Sequence, residues 1–152
     1  MIIYCLTGSI ATGKTTVSNI LKDEGVIIID TDKVVHDIYK TEKLINLIKD
    51  NFGSKYITEN EVNRRELGTL VFNNKKKLEK LNNLVHPLVK EEVYNSVKFF
   101  EEEEKRTNKN LFILYVIPLY FETGKIYKVD KIILAYCPED IQINRLMKRE
   151  NL

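Results

Sequence analysis

At 152 residues and 43% hydrophobic content the chain suffices for one sizeable core, and a second full domain is not expected. Lys and Arg number 24 against 22 Asp and Glu, a formal net charge of +2, so no strong global field draws it to nucleic acid or an anionic membrane surface. No nucleic-acid partner is therefore expected. The longest apolar stretch, Leu111 to Phe121, is too short to span a bilayer and is interrupted by Pro118.

In chain order, Ile2-Ile3-Tyr4-Cys5-Leu6 reads as a buried strand, and it leads into Gly8-Ser9-Ile10-Ala11-Thr12-Gly13-Lys14-Thr15, a match to G-x-x-x-x-G-K-[ST]. The two glycines let the backbone wrap a phosphate, and successive N–H groups with the following helix N-terminus form an anion cradle. Lys14 then reaches the β- and γ-phosphates and the Thr15 hydroxyl holds Mg²⁺, so residues 8 to 15 with Thr16 form the candidate ATP site. Val17, Ile20 and Leu21 follow at helical spacing, which predicts a helix directly after the loop. The loop starts within the first ten residues, so no signal or transit peptide is expected ahead of it. Cys5 and Cys137 form no C-x-x-C pair or metal spacing; both are expected to fill core space in a reducing, cytoplasmic compartment.

Gly25 is the expected C-terminal cap of the first helix, and Val26-Ile27-Ile28-Ile29 the second strand, β-branched as in sheets buried on both faces. One or two helices are expected from Asp32 to Asn51 and another from Arg64 to Asn73. Leu78, Leu81, Val85 and Leu88 then step by three and four along a longer helix, which Pro87 is expected to kink and whose stripe fades near Phe99. Strands three and four are expected within Leu111 to Ile117 and Lys131 to Tyr136, with a last helix from about Ile141 to Arg149. Alternating strands and helices imply a doubly wound α/β domain with ligands at the carboxyl ends of its strands. Glu101 to Glu104 with Lys105 and Arg106, and Lys75-Lys76-Lys77, read better as solvated helix ends than as docking patches.

The second strand ends in Asp30-Thr31-Asp32. A carboxylate there can orient an acceptor hydroxyl and take its proton, which points to Asp32 as general base and Asp30 as a second carboxylate. Asp is also a favoured helix N-cap, and residue type alone leaves that role open for either. A GTPase is disfavoured: Asp50-Asn51-Phe52-Gly53 fits D-x-x-G but follows a helical segment, and no N-K-x-D run occurs. A Walker B carboxylate is also missing after the third strand, where Ile117 is followed by Pro118 and Leu119.

These residues resemble the dephospho-coenzyme A kinases along essentially the whole chain. The likeness runs from Leu6-Thr7-Gly8 through Thr15 to Ile29-Asp30-Thr31-Asp32, Phe52-Gly53, Asn63-Arg64 with Leu67-Gly68, and Val71-Phe72. It continues through Leu81-Asn82, His86-Pro87, Ile117-Pro118-Leu119-Tyr120-Phe121-Glu122, Cys137-Pro138 and Arg145-Leu146-Met147-Lys148-Arg149. The phosphate loop is shared by many families; this ordered set of other elements is not.

The resemblance implies a three-layer P-loop fold with a mostly parallel sheet in a single kinase domain. Within it, a helical substrate-binding region spans about residues 33 to 100 and a lid begins at about residue 139. It also implies ATP-dependent phosphorylation of the ribose 3′-hydroxyl of dephospho-CoA, the last step of coenzyme A biosynthesis, with ATP and Mg²⁺. Asp32 and Lys14 take catalytic positions; Asp30, Asp32, Arg64 and His86 hold the substrate; Arg145 and Arg149 lie near the lid, where guanidinium groups neutralise charge on the transferred group. Read without the family, His86 before Pro87 is a helix-entry or packing residue, and Arg145 and Arg149 equally suit a solvated helix face. Two rival functions remain at this level: a nucleoside or nucleoside monophosphate kinase, and a catalytically silent ATP-binding protein.

Two departures from the family pattern stand out. His36 replaces the Arg usually found four residues after the catalytic Asp, which predicts a weaker or pH-dependent phosphate contact there. The family also continues beyond Leu152 with the rest of the lid, a last strand and a helix; in this chain strand four is expected to be an open sheet edge, favouring self-association.

Overall fold

The computed structural model describes residues 1–122 and 127–150. The chain divides into two compact units, Met1–Thr31 with Val97–Leu152, and Asp32–Ser96.

The first unit is built on a parallel four-stranded sheet. Its strands are β1 (Ile2–Thr7), β2 (Ile27–Asp30), β5 (Phe112–Val116) and β6 (Lys131–Leu134), in the spatial order β2-β5-β1-β6. The register pairs Leu6 with Val116 on one side and Ile133 on the other, and Ile28 with Leu114. Leu6, Leu114 and Val116 form a buried cluster against which Val17 and Leu21 of helix α1 (Lys14–Asp23) pack, together with Tyr4, Val26, Ile28 and Ala135. Of the helical stripe read from the sequence, Val17 and Leu21 face the sheet, whereas Ile20 is 58% exposed and turns away from it. Gly25 lies just beyond the Glu24 cap with φ of +86°, and its N–H donates to Lys22 O at 2.9 Å. Val26 donates to Leu21 O at 2.9 Å instead of entering the ladder, so β2 begins one residue later than its β-branched run suggests.

Glu104 ties the start of this sheet. One carboxylate oxygen lies 2.8 Å from the Met1 amine and the other accepts the Leu111 N–H at 2.8 Å, contacts that hold its carboxyl below the usual range. At the far edge all four residues of β6 are exposed, Leu134 at 63%, so the expected open edge is present. Cys5 is fully buried, and burial pushes its thiol up to about 11, which suits an inert core residue. Cys137 differs: it is only half-buried.

The second unit contains most of α2 (Thr31–Ile38), then α3 (Glu42–Phe52), a 3-10 turn at Ser54–Tyr56, a short hairpin of β3 (Ile57–Thr58) and β4 (Glu61–Val62), and α4 (Arg64–Phe72). Helix α5 (Lys75–Thr107) gives residues 75–96 to this unit and 97–107 to the first. Thr41 and Asn63 cap α3 and α4, accepting the Leu44 and Glu66 N–H groups. Leu44, Ile48 and Leu67 are the most deeply buried side chains of the unit.

One feature departs from the sequence reading. The hairpin turn is Glu59-Asn60, with φ of +51° and +63°, the left-handed pair a two-residue turn of this hand demands. Glu is an unusual residue for that conformation, so no turn signal announced it. Helix α5 runs to Thr107 with Pro87 inside it; of its apolar stripe Leu81, Val85 and Leu88 are buried and Leu78 is exposed. Pro87 cannot donate to the Asn83 carbonyl, and both residues are exposed rather than in the core, which suits a proline inside a helix. Asn74 caps the start by accepting the Lys77 N–H at 3.0 Å.

Candidate active site

The phosphate loop spans residues 8–13, between the end of β1 and the start of α1. Gly13 is the N-cap of α1 with φ of +99°; no side chain caps the helix and its first turn carries no acidic residue. Neither the N-cap residue nor the first turn thus supplies a group that would compete with an anion for the positive end of α1. That end is the donor set a phosphate chain requires, so the residues present fit ATP.

Internal contacts hold the loop in shape. Lys14 Nζ donates to Gly8 O and Ser9 O, both at 2.8 Å, and Thr12 Oγ1 donates to Ser9 O at 2.9 Å. Behind the loop, the Ala135 N–H donates to Thr7 O at 2.8 Å, bringing the end of β6 against it. A Cβ on Gly8 would lie 2.3 Å from Ala135 O, at a φ of +148°. Gly8→Ala must displace backbone and is expected to weaken ATP binding about 5- to 150-fold, the equivalent of about 1–3 kcal/mol of strain. A titration with ATP showing unchanged affinity would contradict this.

The C-terminal helix supplies a second set of contacts. Helix α6 (Glu139–Glu150) brings Arg145 to the loop, where Nη1 donates to Ala11 O at 3.1 Å and lies 3.7 Å from Cys137 Sγ. Gln142 bridges the same elements: Ser9 Oγ donates to its Oε1 at 2.9 Å, and its Nε2 donates to Cys137 O at 2.8 Å. Gln142 escaped the sequence reading because a lone Gln carries no spacing signal. Arg149 instead pairs at 3.0 Å with its neighbour Glu150, both well exposed. Of the two basic residues singled out, only Arg145 is placed at the loop by these contacts.

Asp30 is the last residue of β2, opposite Val116, and Asp32 lies in the first turn of α2, where a carboxylate complements the helix dipole. The intervening Thr31 is buried and donates from Oγ1 to Val116 O at 3.0 Å, anchoring the strand-to-helix turn to the end of β5. This bond fixes the point from which Asp32 departs.

In the second unit, Arg64 is the first residue of α4. Its Nη1 lies 3.2 Å from His36 Nδ1, and its guanidinium carbon lies 4.7 Å from the centroid of the Tyr39 ring. Burial pushes the Tyr39 phenol up, and the Arg64 charge pulls it the other way. His36 therefore faces Arg64, a partner that spacing could not reveal because it comes from another helix. His86 is exposed on α5 beside Pro87. No group of three or more His, Cys, Asp or Glu able to hold a metal ion occurs among the described residues. Thr15 is exposed in the first turn of α1, which suits a magnesium ion held by one hydroxyl and the substrate's phosphates rather than by a protein cage.

A dephospho-CoA kinase from Fusobacterium nucleatum is 37% identical over 154 aligned positions, covering 100% of this chain and 75% of that protein. One from Lactobacillus acidophilus is 34% identical, covering 99% and 74%. Among solved structures, a Thermus thermophilus protein matches with a TM-score of 0.77 at 28% identity, and the dephospho-CoA kinase from Campylobacter jejuni with a TM-score of 0.65 at 30%. Each of these alignments covers 99% of this chain and 73% of the solved one. The family model described as dephospho-CoA kinase matches residues 2–152, and with that match the chain belongs to the dephospho-CoA kinase family.

Proposed function

We propose that this chain transfers the γ-phosphoryl group of ATP to the ribose 3′-hydroxyl of dephospho-CoA, giving coenzyme A and ADP. The observation that carries the reading is the family match along residues 2–152, joined to a phosphate loop whose helix N-terminus has no side-chain cap and no acidic first turn. Residues 8 to 16 hold the triphosphate; Lys14 bridges the β- and γ-phosphates and Arg145 adds positive charge from the lid, with Arg149 beyond it. Thr15 holds Mg²⁺, which when bound screens the phosphate charge and fixes the γ-group for in-line attack.

Asp32 accepts the 3′-hydroxyl proton as the ribose oxygen bonds to the γ-phosphorus and the bond to the β–γ bridging oxygen breaks. Asp30 supports the acceptor next to it, and Arg64 and His86 bind the acceptor from the helical segment of about residues 33 to 100. The substrates are small and diffusible. No helix among the described residues is long and apolar enough to cross a membrane, and a cytoplasmic site of action fits the absence of disulfide spacing.

The test is an acceptor panel. Dephospho-CoA, adenosine, AMP and other nucleoside monophosphates are offered with Mg-ATP, and the products identified by mass spectrometry. Both this polypeptide and a version extended at its C-terminus to family length are assayed. Coenzyme A as the preferred product supports the reading. Preferred phosphorylation of a nucleoside or its monophosphate replaces the acceptor, and ATP binding without transfer to any acceptor in either version makes the chain a silent nucleotide binder.

A further inference from the structure

A cation opening a helix is electrostatically misplaced, because the N-terminal N–H groups already make that end positive. Arg64 occupies this position in α4, yet its guanidinium is held from two sides, by His36 Nδ1 at 3.2 Å and by the face of Tyr39 at 4.7 Å. Guanidinium has only donors, so Nδ1 must be the accepting nitrogen and the imidazole proton sits on Nε2. Both supports are then uncharged in this arrangement. They orient the guanidinium without cancelling its charge, and among the described residues Arg64 pairs with no carboxylate. Two contacts that fix an exposed, uncompensated cation at a helix N-terminus prepare it for an anion.

The placement says which anion. Asp32 and His36 are four residues apart on α2, and helical hydrogen bonding continues to Tyr39, whose N–H donates to Val35 O at 3.2 Å. Asp32, His36 and Tyr39 therefore share one face of the helix, with about 5–6 Å between the Cβ atoms of the first two. In dephospho-CoA the diphosphate hangs from C5′ of the same ribose whose 3′-hydroxyl reacts. The base and the residue that holds the anion-binding group are one helical turn apart on α2, a spacing on the scale of the two ends of that sugar.

We infer that His36 and Tyr39 are positioning residues that hold the Arg64 guanidinium for the 5′-diphosphate of the acceptor. This rests on the function proposed above. The role read from the sequence for residue 36, a direct phosphate contact, passes to Arg64; His36 acts through it by accepting one N–H and leaving the other donors of the fork for the ligand.

The experiment compares wild type with His36→Ala, His36→Asn and Tyr39→Leu. For each, KM and kcat are measured against dephospho-CoA and ATP, and calorimetric titrations with dephospho-CoA are run. His36→Ala is expected to raise KM and Kd for dephospho-CoA about tenfold, the value of one charge-assisted hydrogen bond, with the KM for ATP within about twofold. His36→Asn places Oδ1 near the position of Nδ1, accepts the same N–H and restores most of the loss. Tyr39→Leu is expected to raise the acceptor KM about threefold, in line with loss of an exposed cation–π contact. Unchanged acceptor binding in His36→Ala overturns the inference, as does an Asn variant no better than Ala or an equal rise in the KM for ATP. A wild type that neither binds nor turns over dephospho-CoA overturns the proposed function, and this inference with it.

Discussion

Lys14→Met is expected to lower phosphoryl transfer by at least two to three orders of magnitude, about the loss seen when a preorganised charge-stabilising donor is removed from a transition state. The ammonium group lies over Gly8 O and Ser9 O, within the span of loop that would wrap the phosphates. The Met stem preserves the packing of the Lys methylenes, while the loop retains the Thr12 to Ser9 and Arg145 to Ala11 hydrogen bonds. Melting temperature should therefore change by only a few degrees while ATP affinity and turnover collapse. Lys14→Arg should not rescue, because a planar fork cannot occupy the space of a compact ammonium between two carbonyls. Single-turnover rates alongside thermal melts make the check; near wild-type transfer by Lys14→Met would remove this residue from the phosphate site.

Asp32→Asn should reduce kcat by about 10²–10⁴-fold, the usual contribution of a positioned general base, and leave ATP affinity within about threefold. The substitution keeps size and hydrogen-bonding reach but removes the ability to take a proton. It also removes a negative charge from the first turn of α2, so a loss of a few tenths of a kcal/mol to about 1 kcal/mol in stability is expected from the helix dipole alone. The two effects separate experimentally: stability is read by denaturant melts, chemistry by turnover at saturating ATP and acceptor. If turnover fell only in proportion to the folded fraction, Asp32 would be a helix-terminus carboxylate and not the base. Asp30→Asn, at the end of β2, is the companion measurement that apportions the roles of the two acids.

The strand-to-helix layout and the phosphate loop were legible in the sequence because both depend on local rules. A β-branched run ending before a glycine-rich turn, followed by residues at helical spacing, leaves few alternatives, and β1, α1, β2, β5 and β6 all lie within a residue or two of where those patterns place them. The β3–β4 hairpin was not legible, since Glu59-Asn60 adopts left-handed geometry without glycine.

Among the candidate site residues, the G-x-x-x-x-G-K-T spacing carried its chemistry openly, since one contiguous segment supplies every backbone donor. Arg145 was ambiguous: its spacing from Arg149 suits a solvated face as well as a lid, and only the bond to Ala11 O separates the two arginines. Cys137 was read as core filling, yet it stands half-buried beside Arg145, because a small apolar residue type does not report what faces it.

Local patterns thus announced the parallel α/β class, the candidate nucleotide loop and the carboxylates at the end of β2 and the start of α2, each written in residues close together along the chain, and the order of such patterns along the whole chain pointed to the family. The support of Arg64 by His36 and Tyr39, the backing of Gly8 by Ala135 and the bridge from Ser9 through Gln142 to Cys137 were decided only by the fold. The His36–Arg64 and Ser9–Gln142 contacts join residues 28 and 133 positions apart. No residue's own type or neighbours encode such a meeting; it exists once the helices and strands have packed.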